Sequence, residues 1–438
     1  MNRLGSIAAG VCLASLLAMP SASGTPHPDA DPALRFRKYS TTTRSYTPRH
    51  YPDHGLRDPM DERGRAARGF YLSAPWLRRV GAAHAAQQMQ QAHLNAVVID
   101  VKDDWGQVLY PTKIPLAQRA HRPLIRDLFA LVQTFHQRKI YVIARIVCFK
   151  DSHLPYIRPD LAVRVGKSSQ RILRAGAAWL DAYAAEVNDY LIDIAREVAQ
   201  AGVDEIQFDY VRFPKGRAGR IGRWLHRDQR TRLQVITDFL ERADRALQLP
   251  LSVDLYGITV YLDGDARRLG QSLSAMAPYV EAVSPMMYAK GMAPLFPNDR
   301  LTKQIYRWIH CGLWRARDKL PNLVLRPYLQ AYKKRVPFFG PSFIDRQVRA
   351  TYRAGADGFL FWNATMNNQT AYKALRSIGR RQLDRWFGSA PQQYRQPPNL
   401  PAAWCERPRR TLAIRQPAWL EPTQTSSKTE SSSAASTR

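Results

Sequence analysis

An α/β fold, specifically a (β/α)8 TIM barrel, is what this sequence predicts, and three observations carry it. Between residues 69 and 388, eight short runs rich in β-branched and apolar residues alternate with longer amphipathic stretches. That is the pattern of strand–helix units around a parallel sheet. Eight units in about 320 residues suit a barrel, which takes roughly 250 before insertions. Finally, no glycine-rich loop follows the first run. Gly64-Arg65-Ala66-Ala67-Arg68-Gly69 precedes it, on the wrong side for a dinucleotide-binding open sheet, the nearest competing architecture.

The eight runs fall at residues 69–73, 96–103, 140–149, 205–213, 251–256, 282–288, 324–331 and 358–363. Helices are read between them from apolar residues recurring every three or four positions, over 78–91, 124–138, 185–201, 232–247, 300–314 and 343–354. Gly202 and Gly355 close two of these helices, and each is followed two residues later by an aspartate, Asp204 or Asp357. Both glycines read as left-handed helix stops leading into strands four and eight.

The ends of the chain have a different character. Residues 1–23 read as a signal peptide: Arg3 gives the positive start, residues 7–19 the apolar core, and Pro20-Ser21-Ala22-Ser23 a small-residue cleavage region. The expected location is therefore periplasmic or extracellular, with no membrane span left after signal removal. Residues 24–68 read as a loosely packed Pro/Thr-rich arm, and 389–438 as a disordered Pro/Ser/Thr-rich tail. Loss of the signal removes Cys12 and leaves Cys148, Cys311 and Cys405, so at least one stays free, pairs with another chain or binds something.

Lys and Arg number 65 against 36 Asp and Glu, a net charge of +29, and +21 of that lies within residues 69–388. The barrel itself is basic, which hints at an anionic glycan or envelope polymer as its partner. Nucleic acid is not expected, because the cations are scattered, no reader motif is present and the chain is exported.

In a barrel, chemistry sits at the C-terminal ends of the strands. A strand buried on both faces is otherwise apolar, so polar residues at those ends are informative. Strand two ends in Asp100, Lys102, Asp103 and Asp104; strand three carries Arg145 and leads to Lys150 and Asp151. Strand four holds Gln207, Asp209, Tyr210 and Arg212; strand five Ser252, Asp254 and Tyr256; strand six Ser284 and Tyr288. Strand seven offers Arg326, Tyr328 and Gln330, and strand eight Trp362 and Asn363. Period-two alternation puts Gln207 with Asp209, Asp100 with Lys102, Ser252 with Asp254 and Tyr256, and Tyr328 with Gln330. Asp209 and Asp254 then come from adjacent strands and meet across the mouth. Two carboxyl groups about 5–5.5 Å apart suit a retaining glycosidase, and about 6.5–9.5 Å an inverting one. Trp362, Tyr210, Tyr256 and Tyr288 supply flat surfaces on which sugars stack. Lys102 is expected to pair with Asp100 or Asp103, and a hard cation at Asp100, Asp103 and Asp104 is conceivable without any specific spacing to support it. No metal or other cofactor is expected.

At these residues the chain resembles a bacterial glycosyl hydrolase domain family of exported proteins, distantly related to the α-amylase-like barrels. The resemblance rests on residues 95–104 and 144–151, on Trp179-Leu180-Asp181-Ala182-Tyr183, and on Asp204-Glu205-Ile206-Gln207-Phe208-Asp209-Tyr210-Val211-Arg212-Phe213-Pro214. Ser252-Val253-Asp254, Ser284-Pro285-Met286-Met287-Tyr288 and residues 355–363 complete it, over roughly 69–376. By analogy with amylase-like barrels it implies Asp209 as nucleophile and Asp254 as acid/base. The chain departs from those enzymes at three positions. Gln207 replaces an arginine, Asp254 stands in place of a glutamate, and Gln330 sits where a third acid is expected. Ala289-Lys290-Gly291 also replaces a Pro-Ser-His run after strand six.

Two functions stay open at this stage. One is an exported glycoside hydrolase in which Asp209, held ionised by Arg145 or Arg212, attacks the anomeric carbon while Asp254 keeps a proton. The other is a non-catalytic glycan-binding barrel, since fold alone does not decide activity.

Overall fold

A computed structural model describes residues 60–166, 171–173, 177–261, 265–289, 301–334, 336, 338–388 and 405. The expected signal peptide, the arm up to residue 59 and, apart from Cys405, the tail lie outside the described residues.

Eight parallel strands close into a ring: β1 (Arg68–Leu72), β2 (Ala96–Lys102), β3 (Tyr141–Val147), β4 (Glu205–Asp209), β5 (Leu251–Tyr256), β6 (Ala282–Met286), β7 in two pieces (Val324–Leu325 and Tyr328–Gln330) and β8 (Phe359–Trp362). β7 bridges both neighbours, pairing Leu325 with Val283 and Leu329 with Phe361. β8 then pairs with β1 through Gly69 and Leu360, which closes the barrel. The break in β7 falls at Arg326-Pro327. Proline has no N–H to give the ladder, so a run that reads as one strand is split there.

The strands form from β-branched and aromatic residues, and their outward faces pack on helices. On β4, Phe208 points out and meets the edge of Phe239 at 5.2 Å, and Phe149 meets the same ring at 5.5 Å. Phe239 belongs to the helix Arg232–Ala246, which starts at a capping box between Thr231 and Gln234. That box satisfies two otherwise orphaned N–H groups. Burying Phe239 contributes about 1.5–3 kcal/mol. Gly202 and Gly355 have φ of +80° and +79°, the left-handed stops the sequence predicts.

Inward-facing residues of β4 occupy three successive levels. At the N-terminal end Glu205 accepts from Arg326 Nη2 (2.6 Å), while Arg326 Nη1 donates to the carbonyl of Gly64 (2.7 Å). Gly64 lies on a single helical turn, Glu62–Arg65, capped by Asp61, so the last residues of the arm plug the bottom of the barrel. Midway, the Tyr328 hydroxyl donates to Gln207 Oε1 (2.6 Å) and Gln207 Nε2 donates to Ser284 Oγ (3.4 Å). Asp209 stands at the top. Arg326 therefore belongs to the barrel floor, not to the mouth where its strand position suggested it.

At the far side, Cys405 from the tail forms a disulfide with Cys311 on the helix Leu301–Lys319, and Cys148 is free and buried. Among the described residues no helix is long and apolar enough to cross a membrane.

Candidate active site

Arg145, near the end of β3 and 1% exposed, organises the mouth. Its Nε and Nη2 both donate to Asp209 Oδ2, at 3.0 and 2.6 Å, and its Nη1 donates to Asp100 Oδ1 at 2.6 Å. Nη2 also reaches Asp104 Oδ1 at 3.4 Å, and Asp254 Oδ2 lies 4.0 Å from Nε. Four carboxyl groups from β2, β4, β5 and the loop after β2 thus surround one guanidinium. The β4–β5 register, Phe208 opposite Val253, sets Asp209 beside Asp254. Immediately after Asp209 the backbone turns sharply. Tyr210 has φ of +51° and its N–H donates to Asp209 Oδ1 at 2.5 Å. A left-handed tyrosine costs on the order of 1 kcal/mol and is a mark of functional sites.

More acid than base is buried here, and protons follow. Asp254 is wholly buried and its Oδ1 has no hydrogen-bond partner. Its carboxyl is pushed well above the ordinary range, first by burial and then by the neighbouring Asp209. Asp254 therefore keeps its proton to higher pH than an exposed aspartate does. Asp100 is raised to about 6 by burial, a rise that Arg145 moderates, and accepts from the Tyr71 hydroxyl at 2.5 Å. Asp104, nearer solvent, is also desolvated, but Arg145 and Lys150 outweigh that and hold it below the usual range. For Arg145, burial is outweighed by Asp100, Asp209 and Asp104, which hold its proton firmly.

The structure brings together Asp100, Arg145, Asp209 and Asp254 as the sequence predicts. It removes others. A register shift between Asp100 and Lys102 breaks the strand alternation. Lys102 consequently leaves the mouth, pairs with Asp151 at 2.8 Å and donates to the Val147 carbonyl at 2.9 Å, rather than pairing with Asp100 or Asp103. Gly106, with φ of +88°, lets the loop close over that pair, since a Cβ there would meet Asp151 Oδ1 at 2.1 Å. Asp103 accepts from the N–H groups of Trp105 and Gln107, both at 2.9 Å, and builds the turn. The three acids therefore do not converge on one point: Asp100 and Asp104 both face Arg145, while Asp103 serves the turn. Gln207 is buried one level below the mouth. Gln330 pins loops, accepting from the Ala289 N–H and donating to the carbonyls of Tyr332 and Lys334.

The aromatic residues are also redistributed. Trp362 stacks on Tyr71 with ring centres 4.0 Å apart, and the Arg145 guanidinium lies 4.9 Å from the indole, so this tryptophan packs the arginine in place. Tyr288, half-buried, packs its edge on Tyr332, and burial, Tyr332, Asp254 and Asp209 in turn raise its hydroxyl well above the usual range. Tyr210 and Tyr256 are not open sugar platforms, because cations cover them. Lys150 and Arg212 sit over Tyr210 at 4.7 and 4.9 Å, and Arg212 and Lys215 over Tyr256 at 5.9 and 4.9 Å. Arg212 also covers Trp179 at 5.3 Å, and it does not grip Asp209.

Sequence reasoning missed Tyr71. Its signal was faint, a lone hydroxyl in the apolar strand Gly69-Phe70-Tyr71-Leu72.

Comparison with known proteins places this geometry. The family described as "Putative glycosyl hydrolase domain" matches residues 69–368. Among solved structures, a hypothetical protein from Ruminiclostridium thermocellum is 33% identical, over 42% of this chain and 96% of that one, with a TM-score of 0.38. The PgaB (BpsB) glycoside hydrolase domain from Bordetella bronchiseptica is 14% identical, over 74% of this chain and 99% of that one, with a TM-score of 0.52. An α-galactosidase from Thermus thermophilus is 16% identical over 75% of this chain and 63% of that one, with a TM-score of 0.46. The Bordetella domain shares the fold. No curated protein matches the chain.

Proposed function

The chain belongs to this glycosyl hydrolase domain family, and on that premise we propose that it is an exported glycoside hydrolase acting on a polysaccharide or cell-envelope glycan through Asp209 and Asp254. One observation carries the reading: Arg145 grips Asp209 with two N–H groups, while its neighbour Asp254 is buried with an unpartnered oxygen and a carboxyl pushed well above the ordinary range. An ionised carboxylate beside a neutral one is the division of labour glycoside hydrolysis needs. Asp209 attacks or stabilises the anomeric carbon; Asp254 gives its proton to the departing oxygen. Asp209 and Asp254 stand on adjacent strands beside the same guanidinium. A glycosidic oxygen entering between them would accept the Asp254 proton. Export is supported by the Cys311–Cys405 disulfide, a bond that persists in oxidising compartments.

The shared position of Asp209 and Asp254 beside Arg145 favours a second reading. If neither leaves the arginine, the barrel keeps its groove and binds glycan without cutting it.

The experiment compares wild type with Asp209→Asn on a panel of neutral and charged polysaccharides, reading reducing ends and affinity together. Loss of turnover by about 10³-fold or more, with binding and the unfolding midpoint kept, is the expected result. Turnover retained by Asp209→Asn would overturn the assignment, and binding without cleavage by wild type would establish the binding barrel instead.

A further inference from the structure

The cations over Tyr210 and Tyr256 form a continuous feature that the chemistry above does not use. Lys150 from the loop after β3, and Arg212 and Lys215 from the loop after β4, share the two tyrosine rings in the order Lys150, Tyr210, Arg212, Tyr256, Lys215. An aromatic face orients a cation without neutralising it. Lys150 has one carboxylate partner, Asp104, which it shares with Arg145. Lys215 is exposed, and among the described residues its one polar contact is the Tyr256 hydroxyl at 3.4 Å. The rest of this loop has the same sign. Between Asp209 and Asp228 the sequence carries Arg212, Lys215, Arg217, Arg220, Arg223 and Arg227 and no acid at all. Charge is therefore segregated at the mouth, with carboxyl groups deep and ammonium and guanidinium groups on the β3–β5 side of the rim.

We propose that this row is a subsite for an anionic substituent, a carboxylate, sulfate or phosphate borne on the glycan, and that it sets the substrate class. The proposal rests on the hydrolase reading for the identity of the polymer, but not for the binding itself. A glycan whose scissile bond reaches Asp209 would leave a substituent on a neighbouring sugar within the row. The aromatic rings hold Lys150, Arg212 and Lys215 in place before the ligand arrives, which lowers the ordering cost of binding.

The test measures binding by full-length Asp209→Asn protein, so that cleavage does not enter. The probes are matched pairs, polygalacturonate with its methyl ester and carboxymethyl-dextran with dextran. The charged member of at least one pair is expected to bind at least about tenfold tighter, and the preference should shrink as salt screens it. Lys215→Gln should lose about five- to tenfold of the preference. Lys373→Gln, an exposed lysine on the helix Gln369–Ile378, changes net charge equally and should lose almost none. Failure of the charged members to bind, no preference for them, or equal losses in the two variants overturns the subsite in favour of generic basicity. Preference without cleavage by wild type would keep the subsite and sink the hydrolase. Cleavage of neutral and charged polymers alike would do the reverse.

Discussion

Two arginines are buried inside this barrel, and their surroundings differ in kind. Arg326 at the floor is fully buried and meets one carboxylate, Glu205, and one backbone carbonyl, that of Gly64. Arg145 at the mouth is 1% exposed and lies among four carboxyl groups, with Lys150 the one further cation paired to them among the described residues. The floor is a matched pair that fastens the plug formed by the last residues of the arm. The mouth carries surplus acid, and in a low-dielectric site a surplus of acid is settled by protons, on Asp254 and in part on Asp100. Burial of an ion pair is thus no signature of function here. Under the proposed hydrolase reading the imbalance is, because it raises a carboxyl that could give its proton to the leaving oxygen.

The comparison breaks most visibly if the two arginines are removed in turn. Arg326→Met leaves Glu205 without its cation and should cost about 3–5 kcal/mol in urea unfolding. Turnover per folded molecule should change by less than about twofold, because nothing at the floor touches substrate. Arg145→Met should abolish turnover. If Arg326→Met were as inactive as Arg145→Met while still folded, the floor would belong to the site and the distinction would fail.

A pH titration sharpens the contrast at intermediate size. Asp100 ionises near 3.8 when exposed and at about 6 when folded. Between those values the unfolded chain has released a proton that the native state keeps, so stability falls as pH rises through the window. The Asp100 share is on the order of 2–3 kcal/mol. Asp254, raised by burial and by Asp209, adds a fall of the same sign beginning in the same window. Urea midpoints of wild type measured from pH 4 to 7 should fall with pH, and Asp100→Asn should make the fall below pH 6 clearly shallower, leaving the part that Asp254 contributes. A variant with an unchanged slope would mean that Asp100 is not the group titrating.

How much of this the sequence discloses depends on distance along the chain. The strands are legible because each is a local β-branched run; β5 has the predicted bounds, residues 251–256. The helix read over 78–91 is in fact two, Ala74–Val80 and Ala82–Gln91, parted at Gly81. Alternation puts Gln207 and Asp209 on one face, and the structure extends that face to Glu205, but alternation does not say how deep each residue sits. Depth in a barrel follows from strand tilt and stagger. For that reason Arg326 and Arg145 look alike in sequence. Lys102 was misplaced because one register shift between it and Asp100 undoes the period-two argument. Tyr210 and Tyr256 read as free faces because their covering cations include Lys150, from a different loop.

The smallest expected effect lies between the two arginines, and it asks whether the levels are independent. Tyr328 joins Gln207 and Ser284 in a neutral layer midway along the barrel, with no ion on either side of its hydrogen bonds. Tyr328→Phe removes one neutral donor and leaves Gln207 Oε1 buried and unmet, a cost of about 1–2 kcal/mol in urea unfolding. The Tyr328 ring also packs its edge against Trp362, which supports Arg145, and phenylalanine keeps that contact. The pH dependence of stability and of turnover should therefore match wild type in shape. A shifted pH profile in Tyr328→Phe would mean that the proton on Asp254 is felt one level down. The mouth would then be poised by the whole barrel interior and not by Arg145 and its four carboxyl groups alone.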